Sequence, residues 1–314
     1  MESKPLLSIC IPTYNRATYL EKCLESIVQQ EGFDDRVEIV ISDNCSTDDT
    51  QKIGEIYSER YSNVKYFRNE ENVLDKNFTL VFQRANGVLR KLTNDTILYY
   101  SGAIQYMIDA VNAYRETKPQ LYFHNSANQK EDMILADTLE KYILSLGYWI
   151  TWIGSISVWE DDCDDLKTLI ENAHTKLGQV PYLLENYEKR GKAIILNRVI
   201  MESQSVGKKD LSYGIFTVFY DNFLGFIRRY VDNGDLLEDT YEGLRKNLLL
   251  DFFSEWVVNK RLYAENFIFS DEDLEELIYE AYRKESYYKY YRFILFIRMF
   301  KETIKKMIKK AMRK

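Results

Sequence analysis

The first two thirds of the chain alternate short β-rich runs with amphipathic helical patterns, and no other feature restricts the fold as much. Strands that alternate with helices of about 10–15 residues form βαβ units around a mostly parallel sheet. We therefore predict an α/β fold, with Asn15 as the N-cap of its first helix. The predicted strands are residues 6–11, 37–41, 64–67, 88–92 and 120–123, and the predicted helices are residues 16–30, a segment through 53–57, 74–84 and 102–115.

The strand pattern fades after residue 205, and long helical patterns follow it. The stretch 203–207 contains Gly, Ser and Lys and is weakly linker-like. We place a domain boundary there, with an α/β domain at residues 1–205 and a helical region at residues 206–314. The helical patterns of the second region are residues 216–231, 239–258, 271–282 and about 289–314.

The last segment, residues 289–314, is strongly basic although the chain as a whole is acidic. It contains ten Lys or Arg and one acid, whereas the net charge of the chain is −7. An acidic body argues against a general nucleic-acid binder, which would carry a basic face on its folded part. Apolar residues recur in the segment at steps of three and four, as in a basic amphipathic helix: Phe293, Ile297, Phe300, Ile304, Ile308 and Ala311.

Two interpretations of this helix remain open at this point. It could pack its apolar side on the body and expose its lysines to water. It could instead lie on an anionic membrane surface, where each basic residue contributes about 1 kcal/mol. We favour the membrane surface.

Other features of the sequence predict a cytoplasmic location. The longest uninterrupted apolar run, residues 293–297, is far shorter than the ~20 residues of a membrane-spanning helix. The N-terminal segment lacks the apolar core of a secretory signal. The four cysteines form no CxxC pair, so neither a disulfide framework nor a zinc site is indicated. They are Cys10, Cys23, Cys45 and Cys163.

Polar clusters follow three of the predicted strands, at residues 13–16, 43–44 and 93–96. Ligands of open parallel sheets bind beyond the carboxyl ends of the strands. An aromatic ring for stacking, an acid that accepts from a base or ribose, and a carboxylate for a diphosphate-bound metal would together form a nucleotide-sugar site. The candidate residues are Pro12, Thr13, Tyr14, Arg16, Asp43, Asn44, Asn72, Asn77, Asn94 and Asp95.

Each of the main candidates also has an ordinary structural interpretation. Asp43 could be a turn aspartate that binds its own backbone, as Asx residues often do. Asp95 could be a helix-capping loop acid. Tyr14 could be a core aromatic and Arg16 a residue of the first helical turn.

Two segments carry a resemblance to a known family. The segments are residues 7–16, Leu-Ser-Ile-Cys-Ile-Pro-Thr-Tyr-Asn-Arg, and residues 42–50, Ser-Asp-Asn-Cys-Ser-Thr-Asp-Asp-Thr. In residue type and spacing they resemble the opening of family 2 glycosyltransferases, which have a GT-A, Rossmann-like fold. The resemblance continues more loosely through residues 69–72, 77–78 and 87–95, and it covers roughly residues 1–125.

The resemblance implies transfer of a sugar, with inversion, from a nucleoside diphosphate sugar, preferably a UDP-sugar. The loop 13–16 and Asp43 would surround the nucleoside. Bacterial relatives assemble surface polysaccharides, often on lipid-linked acceptors at the inner face of the cell membrane, so the expected acceptor is a hydroxyl of a glycan or lipid-linked glycan.

The metal-binding motif of the family is reduced in this chain. Relatives usually have Asp-x-Asp or Asp-Asp-Asp after the fourth strand, whereas this chain has Asn94-Asp-Thr96. Asp95 is then the implied ligand of Mg²⁺ or Mn²⁺. A single carboxylate can suffice, because Mg²⁺ is often held by one or two carboxylates together with substrate phosphates.

The general base also departs from the family pattern. Relatives place an acid just before a helix in the second half of the domain, but the matching stretch here, residues 176–184, has none. His174 lies close by, and its unperturbed pKa of about 6.5 suits a base near neutral pH. It is the first candidate, followed by Asp161, Asp162 and Glu171.

Two other functions compete with an active transferase. The reduced acidic motif and the missing acid would fit a catalytically weak or inactive binding or scaffold subunit of a polysaccharide assembly complex. A nucleotidyltransferase is less favoured, because no glycine-rich phosphate loop with Arg or Lys follows the first strand.

Overall fold

The structure is a computed structural model that describes residues 4–126 and 131–312. The chain divides into two compact units, Met1–Ser205 and Val206–Lys314. In the first unit the strands are β1 (Leu7–Thr13), β2 (Val37–Asp43), β3 (Val64–Arg68), β4 (Leu89–Leu92), β5 (Ile97–Tyr99), β6 (Gln120–Phe123), β7 (Met133–Ala136), β8 (Ser157–Trp159), β9 (Ala193–Leu196) and β10 (Met201–Ser203). Its α-helices are α1 (Ala17–Val28), α2 (Thr50–Arg60), α3 (Asn77–Arg84), α4 (Ala103–Tyr114), α5 (Leu139–Leu146), α6 (Lys167–Glu171) and α7 (Gln179–Arg190).

The main sheet has the strand order β3-β2-β1-β4-β8. The first four strands are parallel, and β8 adds an antiparallel edge. β1 and β2 are buried along their whole length, as expected for apolar strands covered by helices on both faces. The predicted mostly parallel α/β architecture is therefore confirmed.

One face of the sheet packs on α1 and α4, which bury residues at helical spacing. Alternate residues of β1, such as Ile9 and Ile11, form a single apolar cluster with Leu24 and Ile27 of α1 and Met107 of α4. Burying one such side chain contributes about 1.5–3 kcal/mol. This core fixes the register of β1 and β2, and hence the positions of the loops that follow them.

β5, β7, β8, β9 and β10 are strands that we did not predict. β7 and β9 join the predicted strand β6 in a second sheet with the order β6-β9-β7, and β10 pairs with β5. Each of the unpredicted strands has three or four residues. Runs this short show no alternation that distinguishes them from buried helical segments.

The second unit is mainly helical, as predicted. It contains α8 (Leu224–Asp232), α9 (Glu238–Asn247), α10 (Ser254–Leu262), α11 (Leu274–Tyr282), α12 (Tyr288–Met312), and the short parallel pair β11 (Lys209–Leu211) and β12 (Phe267–Phe269). π-helical turns at Thr217–Phe223 and Leu248–Phe253 interrupt two of the predicted helices. The rings of Phe219 and Phe252 from these turns lie 4.1 Å apart. No helix in the described part of the chain is both long and apolar enough to cross a membrane.

One side of α12 packs on α10 and its neighbours. Among the described residues of the helix, Tyr291 alone is buried. Further along the same side, Arg298 donates to Asp251 (3.1 Å), and Glu302 accepts from the hydroxyl of Tyr263 (3.0 Å). Residues 291, 298 and 302 share one side because an α-helix has 3.6 residues per turn.

The opposite side of α12 exposes an apolar surface, which we call the α12 stripe. Its residues are between 40% and 67% exposed: Phe293, Phe296, Phe300, Ile304, Met307 and Ile308. Four of the six apolar residues named from the sequence, Phe293, Phe300, Ile304 and Ile308, belong to this stripe and are exposed.

Candidate functional site

The loops after β1, β2 and β4 meet at the carboxyl edge of the main sheet and line one cleft of about 480 Å³. Every nucleotide-site residue named from the sequence lines this cleft except Asp43, and His174 does not line it. The lining residues are Pro12, Thr13, Tyr14, Arg16, Asn44, Asn72, Leu74, Asp75, Asn77, Phe78, Asn94, Asp95 and Thr96.

Backbone and side-chain hydrogen bonds join the loop after β1 to the loop after β2. Asn15 adopts a left-handed backbone (φ 52°), a conformation that Asn tolerates better than most residues. Its N–H donates to Ser46 Oγ (2.9 Å), and its Oδ1 accepts from the N–H of Thr47 (2.7 Å). Asn15 is therefore not the N-cap that we predicted for α1. The two loops hold Tyr14 at the rim of the cleft, where it is 43% exposed.

Asparagine amides connect the loops on the β2 side of the cleft. Nδ2 of Asn44 donates to Asn72 Oδ1 (2.7 Å) and to the carbonyl of Leu74 (3.2 Å). Asn77 donates to the carbonyl of Ser42 (2.8 Å) and accepts from the hydroxyl of Ser42 (2.6 Å). These bonds make Asn44 and Asn77 cross-links of the cleft wall as well as lining residues.

Asp43 lies beneath the cleft and is fully buried. Its Oδ2 accepts from the hydroxyl of Tyr66 (2.7 Å) and lies 3.5 Å from Nη1 of Arg68. Its Oδ1 accepts from the N–H of Ser46 (2.9 Å), which is the turn-aspartate role considered above. In this conformation the carboxylate supports the loop after β2, and Asp43 is not among the residues that line the cleft.

Asp95 lies in the cleft with little access to water. It is 9% exposed, and its Oδ2 accepts from the hydroxyl of Thr13 (2.8 Å). Burial raises the pKa of this carboxyl to about 6, although the Thr13 hydrogen bond and the charge of Arg16 act in the other direction. A desolvated carboxylate is stabilised in its charged form by a positive charge placed beside it.

Comparison with known proteins identifies the family of the segment that forms this cleft. Residues 8–136 match the family model described as Glycosyl transferase family 2. This segment is a family 2 glycosyltransferase domain. It includes β2 to β7, all of β1 except Leu7, and all residues that line the cleft.

Curated relatives of the family 2 domain match over short segments. The abequosyltransferase RfbV of Salmonella typhimurium is 46% identical over 84 residues, which are 26% of this chain and 25% of that protein. The GalNAc(5)-diNAcBac-PP-undecaprenol beta-1,3-glucosyltransferase of Campylobacter jejuni is 32% identical over 110 residues, or 34% of this chain and 35% of that protein. The matches thus span a quarter to a third of these relatives.

Solved structures share the fold over a larger part of the chain. S. aureus TarS has a TM-score of 0.54 at 19% identity, with 79% of this chain and 43% of that chain covered. TarS 1-349 in complex with UDP has a TM-score of 0.51 at 18% identity, with 79% and 72% covered. The likeness supports a GT-A-like fold that contains the family 2 domain.

The family 2 domain offers few protein ligands for a metal. No group of three or more His, Cys, Asp or Glu that could hold a metal ion occurs among residues 4–126 and 131–312. Asp95 nonetheless fits a cation that is held mainly by substrate phosphates, because its carboxylate is desolvated and faces the cleft. A metal at this place would offset negative charge on a diphosphate.

His174 lies outside the cleft, on the turn Ala173–Thr175. Its Nδ1 is 2.9 Å from the carbonyl oxygen of Glu171. A carbonyl only accepts, so in the neutral ring Nδ1 carries the proton and Nε2 carries the lone pair. Two residues later, Lys176 forms an ion pair with Asp75 of the cleft (3.0 Å), so this turn adjoins the site.

The three other candidates for the general base form ion pairs outside the cleft. Asp161 and Asp162 follow β8, whose last residue, Trp159, pairs with the first residue of β4, so they lie at the edge opposite the cleft. Hydrogen bonds from Lys189, Arg190 and Asn186 outweigh the effect of burial and hold the pKa of Asp162 below its usual value. Asp161 pairs with Lys118, and Glu171 pairs with Lys167.

Sequence reasoning missed Asp75 and Leu74. Asp75 lines the cleft, and its pairing with Lys176 places a second carboxylate there. Leu74 adopts a left-handed backbone (φ 52°) and is 69% exposed, an unusual combination for a large apolar residue. The only sequence signal for either was their position between Asn72 and Asn77.

Proposed function

We propose that this chain is an inverting glycosyltransferase that transfers a sugar from a nucleoside diphosphate sugar, with UDP as the preferred nucleoside. The proposal rests above all on one observation: exposed Tyr14 and desolvated Asp95 line the same cleft at the carboxyl edge of a parallel sheet. Such an edge is where α/β folds bind nucleotides. The family of the domain and its fold support the proposal.

The lining residues suit the parts of such a donor. Tyr14 offers a ring face for the nucleobase, and Arg16 offers a cation for the diphosphate. Thr13 and Asn94 supply neutral hydrogen-bonding groups between them. Asp95 is the ligand of Mg²⁺ or Mn²⁺, and Asp43 acts indirectly by fixing the loop after β2.

The proposed reaction is a single displacement. A hydroxyl oxygen of the acceptor forms a bond to the anomeric carbon from the side opposite the diphosphate. The bond between that carbon and the diphosphate oxygen breaks, and the nucleoside diphosphate leaves with the bonding electron pair. Nε2 of His174 accepts the hydroxyl proton, because it holds the free lone pair of the ring.

The function is tested by incubating the protein with UDP-, GDP-, CDP- and dTDP-sugars and measuring release of the nucleoside diphosphate without an acceptor. Many transferases transfer sugar slowly to water, so we expect release from at least one donor, preferably a UDP-sugar. Binding of a nucleoside diphosphate with no release under any condition would favour the inactive scaffold. No binding at all would contradict both functions.

Replacing His174 with alanine is expected to lower the turnover number by about 100-fold or more, the usual contribution of a general base. Donor affinity is expected to remain near that of the native protein, because His174 does not line the cleft. The measurement is the pair of turnover number and donor KM, with added imidazole as a test of chemical rescue. Unchanged turnover would exclude His174 and direct attention to Asp75.

We further propose that the α12 stripe lies on an anionic membrane surface, which would place the enzyme beside a glycan or lipid-linked acceptor at the inner face of a bacterial membrane. The side of α12 that faces α10 contacts other residues of the second unit, whereas the stripe is exposed. Lys301 on one flank and Lys310 on the other supply positive charge next to the apolar residues. Surface-polysaccharide synthesis is the process this arrangement suits.

A further inference from the structure

Aromatic residues form a partly exposed platform on the segment before β8. The rings of Tyr148 and Trp149 stack with centroids 5.5 Å apart, and Trp152 meets Trp149 edge to face at 6.4 Å. Trp149 is 48% exposed, a large fraction for so apolar a side chain. We call Tyr148, Trp149 and Trp152 the aromatic platform. Single exposed apolar residues are ordinary, but three aromatic side chains in mutual contact form a candidate binding surface.

A buried histidine adjoins the platform. The ring of His124 meets Trp149 edge to face at 6.1 Å, and its side chain is almost completely buried. Nδ1 of this ring has no hydrogen-bond partner in the described parts of the chain. Leaving a buried polar atom unpaired costs about 1–3 kcal/mol, so such an atom calls for a partner that the described residues do not supply, such as a ligand or water.

The platform is uncharged at neutral pH. Burial lowers the pKa of His124 to about 4, so its imidazole is neutral and can either donate or accept a hydrogen bond. Indole and phenol rings offer apolar faces with a few polar edges. This chemistry favours a neutral ligand ring that carries C–H groups on one face and hydroxyls at its edge. A phosphate or another anion is disfavoured, because the platform offers it no positive charge.

Hydrogen bonds fix the platform segment beside the strand that leads into the cleft. Nζ of Lys91 donates to the carbonyl of Gly154 (2.6 Å), and the N–H of Leu92 donates to the carbonyl of Ile156 (3.0 Å). β4 ends at Leu92, and the loop with Asp95 begins immediately after it. On the other side, Nε2 of Gln179 donates to the carbonyl of Thr151 (2.7 Å), which connects the platform to the segment that carries His174.

We infer that the aromatic platform is a subsite for a pyranose ring of the acceptor glycan, with Trp149 against the face of the sugar and His124 available to one of its hydroxyls. The inference rests on the proposed transferase function, and it adds a place and a chemical class for the acceptor. The acceptor is then a neutral sugar at this position, next to the segments that carry Asp95 and His174.

Binding can be measured without catalysis, because each indole N–H gives its own NMR signal. The chain has four tryptophans: Trp149, Trp152, Trp159 and Trp256. The probes are methyl glycosides of glucose, galactose, mannose and N-acetylglucosamine, titrated into the full-length ¹⁵N-labelled protein. We expect saturable shifts of the Trp149 and Trp152 signals with at least one glycoside. Trp159, which is 2% exposed, and Trp256, in the second unit, serve as internal references.

Two variants and one control sharpen the test. Trp149→Ala is expected to weaken glycoside binding about fivefold or more, measured on the indole signal of Trp152. A fivefold loss of affinity corresponds to about 1 kcal/mol of lost ring contact. His124→Phe is expected to weaken binding while raising the midpoint of thermal unfolding, because an unpaired buried nitrogen is removed. Leu144→Ala removes another exposed apolar side chain of the first unit, 63% exposed, and is expected to change neither quantity.

The subsite is overturned if no glycoside shifts Trp149 saturably, or if Trp149→Ala binds as tightly as the native protein. Failure of the transferase function would look different. If the protein binds glycosides at Trp149 but neither binds nor hydrolyses any nucleotide sugar, the sugar subsite is supported and the donor site is contradicted. If it hydrolyses a nucleotide sugar but binds no glycoside at Trp149, the transferase function is supported and the subsite is contradicted.

Discussion

Replacing Asp95 with asparagine is expected to reduce sugar transfer at least about 100-fold, the order of loss seen when a group that stabilises transition-state charge is removed. Asparagine keeps the shape of the side chain and can still accept from the hydroxyl of Thr13, so the fold is retained. The negative charge that would hold a cation against the diphosphate is lost. Initial rates with and without Mn²⁺ measure the effect.

The same substitution is expected to stabilise the protein when donor and metal are absent. Burial raises the pKa of Asp95 to about 6, so the folded state binds a proton more tightly than the unfolded chain. The stabilisation from that proton is complete below the unfolded pKa of about 4 and is lost as the pH rises through about 6. Above this range the ionised Asp95 destabilises the fold by about 2–3 kcal/mol.

Urea unfolding in the presence of a chelator measures this second effect. Asp95→Asn should exceed the native protein in stability near pH 8 and should match it closely near pH 4. Asp161→Asn is the matched control, since it removes an exposed acid at the opposite edge of the sheet. An Asp95→Asn protein that transfers sugar at the native rate, or that is less stable near pH 8, would contradict the role given to this residue.

Replacing Phe296 and Phe300 of the α12 stripe with serine is expected to lower binding to anionic vesicles at least about 100-fold. Burial of one phenylalanine contributes about 1.5–3 kcal/mol, and the two residues are 67% and 61% exposed in the protein. The side of α12 that packs on α10 is unchanged, so the helix should remain in place. Flotation with phosphatidylglycerol vesicles measures the binding, and added salt should weaken it because the flanking lysines contribute.

Leu237→Ser is the matched control, because it removes an exposed leucine of the same unit, 64% exposed, outside α12. It should float as the native protein does. Native protein that does not float, or a Phe296/Phe300 double variant that floats normally, would contradict the membrane proposal. A native protein that is a dimer in solution, and that becomes a monomer in the double variant, would instead assign the stripe to a second copy of the chain.

The strand-end loops could be predicted from the sequence because apolar residues dominate the first five residues of β1 and β2. The predicted strand ends, residues 11 and 41, lie two residues before the observed ends, Thr13 and Asp43. The polar residues that follow must then meet at one edge of the sheet. Tyr14, Arg16, Asn94 and Asp95 were placed in one cleft on this basis, and they all line it.

The orientation of Asp43 could not be predicted in the same way. It is the last residue of β2, and neighbouring residues of a strand point to opposite faces. Whether its carboxylate faces the cleft or the interior depends on Tyr66 and Arg68 of β3, which supply its hydrogen-bonding partners. Those partners come from the next strand, and nothing in the local sequence around Asp43 indicates them.

The same limit applies to the tail and to the aromatic platform. Periodicity identifies α12 as an amphipathic helix, but it does not say which side contacts the rest of the unit. That choice depends on Asp251 and Tyr263, which bind Arg298 and Glu302. Likewise, the residues around Trp149 show no regular spacing, because they form short 3₁₀ turns in place of a strand or an α-helix.

Hydrogen–deuterium exchange of the full-length protein, with and without UDP, GDP, CDP or dTDP and Mg²⁺, tests the central claim most directly. If the cleft holds the donor, at least one nucleotide should slow exchange in the loops 13–17, 44–50 and 94–96 together, because a bound ligand stabilises the closed state of the segments it touches. The basic tail should exchange as before. Nucleotide binding that protects other segments and leaves these three loops unchanged would contradict the account.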